Sequence, residues 1–545
     1  MSNNFSTVPN INISRSKFTA RYHHKTSFNM GKLIPFDVIE VLPGDTFKLK
    51  MNEVCRISSA LIRPIMDNLF LDVYYFFVPN RLSFNKWAEV MGENKQGHWI
   101  PAKDVNVPTF QFGEVKQGTI ADYFGLPINQ YIGHTLKEPK VSILPFNAYA
   151  LIWNEFFRDQ NNQDPVQLVH TNKSFGNANY NWTPNNYANA YPAPVCKLHD
   201  YFTSALPAPQ KGEAVKFSLV GDVPVTNGDG STKFTPKLFS NATVTANQLF
   251  MAADTATSTG NLYHMSSTLS GAGTDNPVSM SLIAQTSDMT VANVNDLRFA
   301  FQLQKMLEKD ARGGTRYREY LQSHFGVTSP DSRMQVPEFL GGARLPISIE
   351  QVEQTTPGEG ENTVGQVGAY SLSNGRSGFT KGFVEHGFVI GVLCVRQHHT
   401  YQQGIEKFWT RKKRTDFYDP VFANIGEQPI YQSELFYDNS DTADYSNTVF
   451  GYQEAWADYR YKPSRISGEL RSTATNPMDI WHLGDKYANA PILGSQFLSE
   501  TTEYLDRALA VPSTTANQFI IDIYTENEMI RPMPVYSVPG LIDHH

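Results

Sequence analysis

Along DTFKLKM (45 to 51) apolar and polar positions alternate, with Phe47, Leu49 and Met51 on one face and Lys48 and Lys50 on the other. That period of two predicts a half-buried β-strand. NLFLDVYYFFV (68 to 78) and GFVIGVLCV (387 to 395) are instead apolar or aromatic at nearly every position, which predicts central strands covered on both sides. The proline-led turns LPGD (42 to 45) and VPN (78 to 80) bound these runs. Helical stretches are short. Ser83 is placed to cap a helix carrying Trp87 and Met91, and Asn147 to Asp159 sets Tyr149, Ile152, Trp153 and Phe156 on one stripe. Two helices joined by a corner are predicted between 296 and 326. Asp296 caps the first, whose Leu297, Ala300, Phe301, Gln304 and Leu307 keep the helical period until Gly313 and Gly314 stop it. Thr315 then caps REYLQSHF, which Gly326 ends.

Composition agrees with a β-rich chain. Its 545 residues suffice for two or three domains or one domain with very long insertions. Aromatics at 12%, with 37 glycines and 32 prolines, favour short strands and many turns. No fixed-period repeat occurs, which disfavours a solenoid or propeller. Residues 213 to 290 are rich in Ser, Thr, Ala, Asn and Gly and hold no tryptophan. A connection this long is functional or has structure of its own. TTPGEGENTVGQVGAYSLSNGRSG (355 to 378) reads as an exposed Gly-rich loop.

The formal net charge of −7 opposes a surface built wholly for nucleic acid but permits a local basic face. Cys55, Cys196 and Cys394 are far apart and odd in number, so neither a disulfide framework nor a zinc motif is expected. No apolar run has signal-peptide or membrane-spanning length, and no membrane insertion is expected. Enzyme signatures are missing: the chain has no HExxH, GxSxG, CxxC or GxxxxGK[ST]. The glycines at 313 and 314 follow a helix where a phosphate loop needs them after a strand. No cofactor is expected. The doublets His23/His24, His398/His399 and His544/His545 point to alternate sides if extended, which is poor geometry for one metal and favours solvated or core histidines.

Two basic stretches remain. RKKR (Arg411, Lys412, Lys413, Arg414) lies beside Trp409, Phe417 and Tyr418. Clustered cations next to aromatic rings suit phosphate contact with base stacking, and equally suit a solvated loop. SRSKFTARYHHK (14 to 25), with Arg15, Lys17 and Arg21, reads as an extended arm on an inner surface or a strap on a neighbouring subunit.

RSKF with KTSFNMGKLIPF and EVLPGD (15 to 45), then RPIMDNLFLDVYYFFVPNRL (63 to 82), resemble the N-terminal region of the major capsid proteins of gokushovirus-type microviruses, small single-stranded DNA phages. LPFNAYALIWNEFFRDQN (144 to 161), HDYFTSALPAPQKG (199 to 212), GYQEAWADYRYKPSRISGELRS (451 to 472), DIWHL (479 to 483) and RPMPVYSVPGLIDHH (531 to 545) follow that family in order and spacing. The likeness spans almost the whole chain. It departs most in 213 to 290 and 355 to 378, and at Ala208, where the family's LPWPQKG carries tryptophan.

The resemblance implies an all-β core, an antiparallel eight-stranded viral jelly roll with long inter-strand insertions containing short helices. It implies an N-terminal arm at 1–32, core segments at 33–212 and 291–530, a threefold projection at 213–290 and a C-terminal strap at 531–545. The implied partners are about sixty copies of the chain itself, a circular single-stranded DNA genome, a small basic packaging protein, a scaffolding protein, and pilot- or spike-type virion proteins. A host receptor would meet 213–290. The particle would assemble in the bacterial cytoplasm. Within that picture Arg411, Lys412, Lys413, Arg414, Arg15, Lys17 and Arg21 are candidate DNA contacts. Arg312, Arg316 and Arg318 are candidate clamps between loops or subunits. A carbohydrate-binding β-sandwich or a glycan hydrolase shares much of the composition, and oligomeric mass separates both from a coat protein.

Overall fold

The computed structural model describes residues 13–94, 105–128, 140–176, 179–215, 225–227, 250–253, 263–266, 282–284, 294–356, 364–437 and 447–536. Eight strands build its framework: β1 (Ser16–Phe28), β2 (Ile34–Val41), β3 (Thr46–Ile57), β4 (Leu69–Pro79), β5 (Glu338–Pro346), β6 (Ser373–Gly382), β7 (Gly387–Gln397) and β8 (Phe519–Arg531). They pair antiparallel in two four-stranded sheets, ordered β1-β8-β3-β6 and β5-β4-β7-β2.

The strand patterns explain the layering. In β3, Phe47, Leu49, Met51, Cys55 and Ile57 are buried while Lys48, Lys50, Asn52, Val54 and Arg56 are exposed. The buried set packs against Leu69, Leu71, Val73, Tyr75 and Phe77 of β4, so one core lies between the sheets. Phe76 and Val78 on the other face of β4, with Ile390, Val392 and Cys394 of β7, join a second core. That core is completed by Phe146, Tyr149 and Trp153 of α1 (Leu144–Ile152) and the π-helical turn Trp153–Phe157 that continues it. Strands covered on both faces need apolar residues at both parities, which is why these two runs do not alternate.

Local details differ from the sequence reading. Helix α1 starts three residues before Asn147 because Pro145 suits a first turn. Ser83 caps nothing. It closes the short helix Asn80–Ser83 and its carbonyl accepts from Asn147 Nδ2 at 2.8 Å, while the next helix, Trp87–Val90, is entered from Lys86. The corner holds α2 (Val294–Gly313) and α3 (Tyr317–Phe325), with Gly314 at φ +96° and Gly326 at φ +69°, backbone that glycine adopts without strain. Arg316 takes the N-cap position expected of Thr315, and its N–H donates to Glu319 at 3.2 Å. Thr315 is engaged elsewhere, donating to Gln160 Oε1.

Parts of the expected arm and of the expected Gly-rich loop are strands, while residues 1 to 12 and 357 to 363 lie outside the described residues. Residues 16 to 28 of the anticipated arm pair with β8 from Ser16 to Phe28. The stretch contains no proline and alternates side chains inward and outward, so nothing interrupts the ladder. In the anticipated 355–378 loop, Val367–Ser371 pairs with Ile349–Glu353, and β6 pairs with β3 along its whole length. Its glycines mark close approach: a side chain at Gly378 would meet the Leu49 carbonyl, and one at Gly375 would meet Leu345.

A third core of Tyr201, Phe202, Tyr401, Ile430, Phe450 and Phe497 anchors the long insertion between β7 and β8. Residues Met1–Lys211 and Glu308–His545 form one compact unit, and Gly212–Leu307 forms another. Within the second, Val225–Asn227 pairs with Leu282–Ala284, and Phe250–Ala253 with Tyr263–Ser266. Most of 213–290, and residues 537 to 545 of the anticipated strap, lie outside the described residues.

Candidate functional site

The basic run lies on the insertion anchored by the third core. A 3-10 turn, Lys407–Thr410, brings up Trp409, which is 71% exposed and leans on Phe408 at a ring separation of 4.7 Å. The chain then turns at RKKR. The N–H groups of Lys412 and Lys413 donate to Asp416 Oδ2 at 2.9 and 2.8 Å and hold its carboxyl below the usual carboxylate range. This turn leaves Lys412, Lys413 and Arg414 exposed, with Phe417 and Tyr418 also exposed beyond them. Arg411 departs from the group: it is ion-paired to Asp458 and its guanidinium lies 4.2 Å from the Tyr459 ring centroid. An open groove of about 870 Å³ follows, its wall including Trp409, Lys412, Lys413, Tyr431 and Tyr437.

The arginines of the opening corner are committed within the chain. Arg312 pairs with Glu427, whose carboxyl burial pushes up against the pull of the guanidinium. Arg316 donates to the Asn154 carbonyl at 2.6 Å and lies 3.4 Å from Glu155 and 3.3 Å from Glu319. Arg318 donates to the Glu155 carbonyl at 2.9 Å, faces Asp331 at 3.5 Å and sits 4.7 Å above the Phe156 ring. These contacts tie the corner to the end of α1.

Arg15 is exposed just ahead of β1. Lys17 and Arg21 point outward from β1 and pair with Glu528 at 2.9 Å and Glu526 at 2.8 Å. His23 lies 3.2 Å from Asp522, and His544 and His545 fall outside the described residues. Among the described residues no group of three or more His, Cys, Asp or Glu is placed to hold a metal ion, and no helix is long and apolar enough to cross a membrane.

A buried ionic cluster was illegible in the sequence. His399 sits between Asp485 at 2.7 Å and Glu500 at 3.1 Å, all three side chains with no solvent exposure. Lys197 adds a second cation to Asp485 at 2.9 Å, and the Tyr487 hydroxyl donates to it at 2.7 Å. Burial disfavours the imidazolium, but Glu500 and Asp485 outweigh it and raise the His399 pKa to about 9. Burial likewise opposes the Asp485 carboxylate, and His399 with Lys197 overcomes it, lowering that pKa to about 2. The four residues come from distant segments, and only the His398/His399 doublet hinted at one of them.

Sequence comparison places this geometry in a family. The family described as "Capsid protein (F protein)" matches residues 6–541. The chain belongs to that capsid-protein family. It is 38% identical over 600 aligned residues to capsid protein VP1 of Chlamydia phage 1, covering 99% of this chain and 98% of the relative. Capsid protein VP1 of Bdellovibrio phage phiMH2K is 35% identical over 552 residues, covering 98% and 97%. That of Spiroplasma virus 4 is 35% identical over 560 residues, again covering 98% and 97%. The chain is thus a structural capsid protein, and its place is the virion.

Proposed function

We propose that the chain is the major coat protein of a T=1 icosahedral shell, about sixty copies, enclosing a circular single-stranded DNA genome. The observation that carries the reading is the strand order. Strands 1, 8, 3 and 6 share one antiparallel sheet and strands 5, 4, 7 and 2 the other, an order that supports reading the framework as an eight-stranded jelly roll, an architecture found in viral capsid domains. Long insertions between strands supply the inter-subunit surface. Many modest contacts between identical subunits add to a stable closed assembly without trapping partial rings.

Within this reading Lys412, Lys413 and Arg414 contact phosphates while Trp409 offers a face for an unpaired base. Arg411 is a structural residue, since its charge is met by Asp458. Residues 213–290 contact the host receptor. A small basic packaging protein supplies most of the genome's counter-charge, because the chain itself carries −7. Scaffolding and pilot- or spike-type proteins complete the particle. The test is particle mass by sedimentation, with nuclease-protected DNA assayed in the same fraction. A megadalton particle holding protected single-stranded DNA supports the reading, and a folded monomer that stays monomeric with the partner proteins supplied overturns it.

A further inference from the structure

The sheet β1-β8-β3-β6 buries one face and leaves the other open. The open face is ordered by register. Successive outward residues on one strand stand roughly 6.5–7 Å apart, and neighbouring strands about 4.8 Å apart. Arg21 of β1 lies opposite Glu526 of β8, which lies opposite Lys50 of β3. One strand over, Asn52 of β3 lies opposite Arg376 of β6.

The face is divided into two halves. Over β1 and β8 the cations are engaged: Lys17 with Glu528, Arg21 with Glu526, and Lys25 with Asp522 at 3.7 Å. Over β3 and β6, Lys48, Lys50, Arg56 and Arg376 are all exposed; Glu528 and Glu526 of β8 stand opposite Lys48 and Lys50 but make their ion pairs with Lys17 and Arg21, so cations outnumber carboxylates on this half. Their neighbours there are Asn52, Asn374 and Thr380, with Val54 the exposed apolar side chain in their midst. On a chain whose net charge is −7, a flat strip with cations in excess of carboxylates and no exposed aromatic rings on its two strands selects a polyanion by charge and offers no base readout.

We infer that the β3/β6 half of this face is a track for the phosphodiester backbone of extended single-stranded nucleic acid, with Lys48, Lys50, Arg56 and Arg376 as its phosphate contacts. The inference rests on the coat-protein reading and extends it: the track binds without regard to sequence, while the β1/β8 half, already neutralised, stays outside it. The spacing of Lys48 and Lys50 along β3 is comparable to the interval between successive phosphates of an extended strand.

The test titrates a fluorescent oligothymidylate against the full-length unassembled chain at several salt concentrations. Each phosphate contact to a single strand contributes about 0.7 to the slope of log K against log salt. The quadruple variant K48Q/K50Q/R56Q/R376Q is expected to lower that slope by roughly 2–3 and to weaken binding at least tenfold. The pair K17Q/R21Q, whose cations are already met by carboxylates, is expected to change affinity by less than about twofold. Equal slopes for the wild-type chain and the quadruple variant overturn the inference, as does a wild-type chain that binds no oligonucleotide or a K17Q/R21Q effect as large as the quadruple one. Loss of assembly with an unchanged oligonucleotide slope also overturns it, since the face would then be a contact between copies. Particle mass, measured after the partner proteins are supplied, keeps the two readings apart: shells formed with an unchanged slope remove the track alone, and wild-type chain that forms no shells under those conditions removes the coat-protein reading.

Discussion

The two sheets of the framework are built from equal numbers of strands and live in different surroundings. β5-β4-β7-β2 has its central strands covered on both faces, and its sequence carries long apolar runs. β1-β8-β3-β6 is covered on one face and alternates. The covered sheet is devoted to packing, and its chemistry is confined to ion pairs such as that of fully buried Asp72 with the largely buried Arg396 and the exposed Arg344. The open sheet is free to carry charge. The contrast locates stability in one sheet and surface recognition in the other.

The largest expected effect is in the covered sheet. Phe76→Ala empties a site between β4 and the π-helical turn, where Phe156 and Phe157 pack on it, and is expected to cost about 3–5 kcal/mol, read as a lower midpoint in denaturant unfolding of unassembled subunits. Asp72→Ala leaves Arg344 and Arg396 facing an uncompensated site, and a loss of about 3 kcal/mol is expected, with Asp72→Asn recovering part of it. A wild-type midpoint in either alanine variant contradicts the division.

Next comes the buried cluster beneath the insertion. The folded His399 pKa of about 9 lies above its ordinary value of 6.5. Its contribution is therefore full below about pH 6.5 and is lost as pH rises through about 9. Asp485, at about 2 against 3.8, contributes above its ordinary value and loses that contribution as pH falls through about 2. The thermal midpoint should fall between pH 6.5 and 9, and His399→Gln should lower it at pH 6.5 and flatten that fall. An unaltered slope in the variant removes the cluster from the account.

Smaller effects sharpen the open side. Trp409→Ala should leave the unfolding midpoint unchanged and weaken oligonucleotide binding by about 5- to 150-fold, the worth of one stacked base; a lowered midpoint with unchanged binding would make Trp409 a packing residue. Arg21→Ala, on the exposed pair with Glu526, should move neither stability nor binding measurably. A clear loss of binding in that variant would extend the active half of the face to β1.

How far the sequence could be read follows the same division. Apolar runs announced β4 and β7, and the alternation of Phe47, Leu49 and Met51 announced β3, because periodicity is a local signal. β6 was misread as a loop since its glycines signal flexibility in isolation and close packing only once Leu49 and Leu345 are beside them. The strand at 16 to 28 was misread as an arm because its partner lies some five hundred residues away in β8. RKKR was legible as a charge run, yet the withdrawal of Arg411 into the Asp458 pair depends on a contact no local pattern encodes. Lys48 and Lys50 stood in plain view on the polar side of β3, but that the carboxylates opposite them, Glu528 and Glu526, are taken up by Lys17 and Arg21 became visible only when β8 and β1 were aligned beside them.

In this picture the β3/β6 half of the open face of β1-β8-β3-β6 meets the genome. A density map of DNA-filled particles tests it most directly. The account predicts that Lys48, Lys50, Arg56 and Arg376 line the shell's interior with nucleic-acid density along β3 and β6. The same face directed at the outside, or sealed against a neighbouring copy, would contradict it.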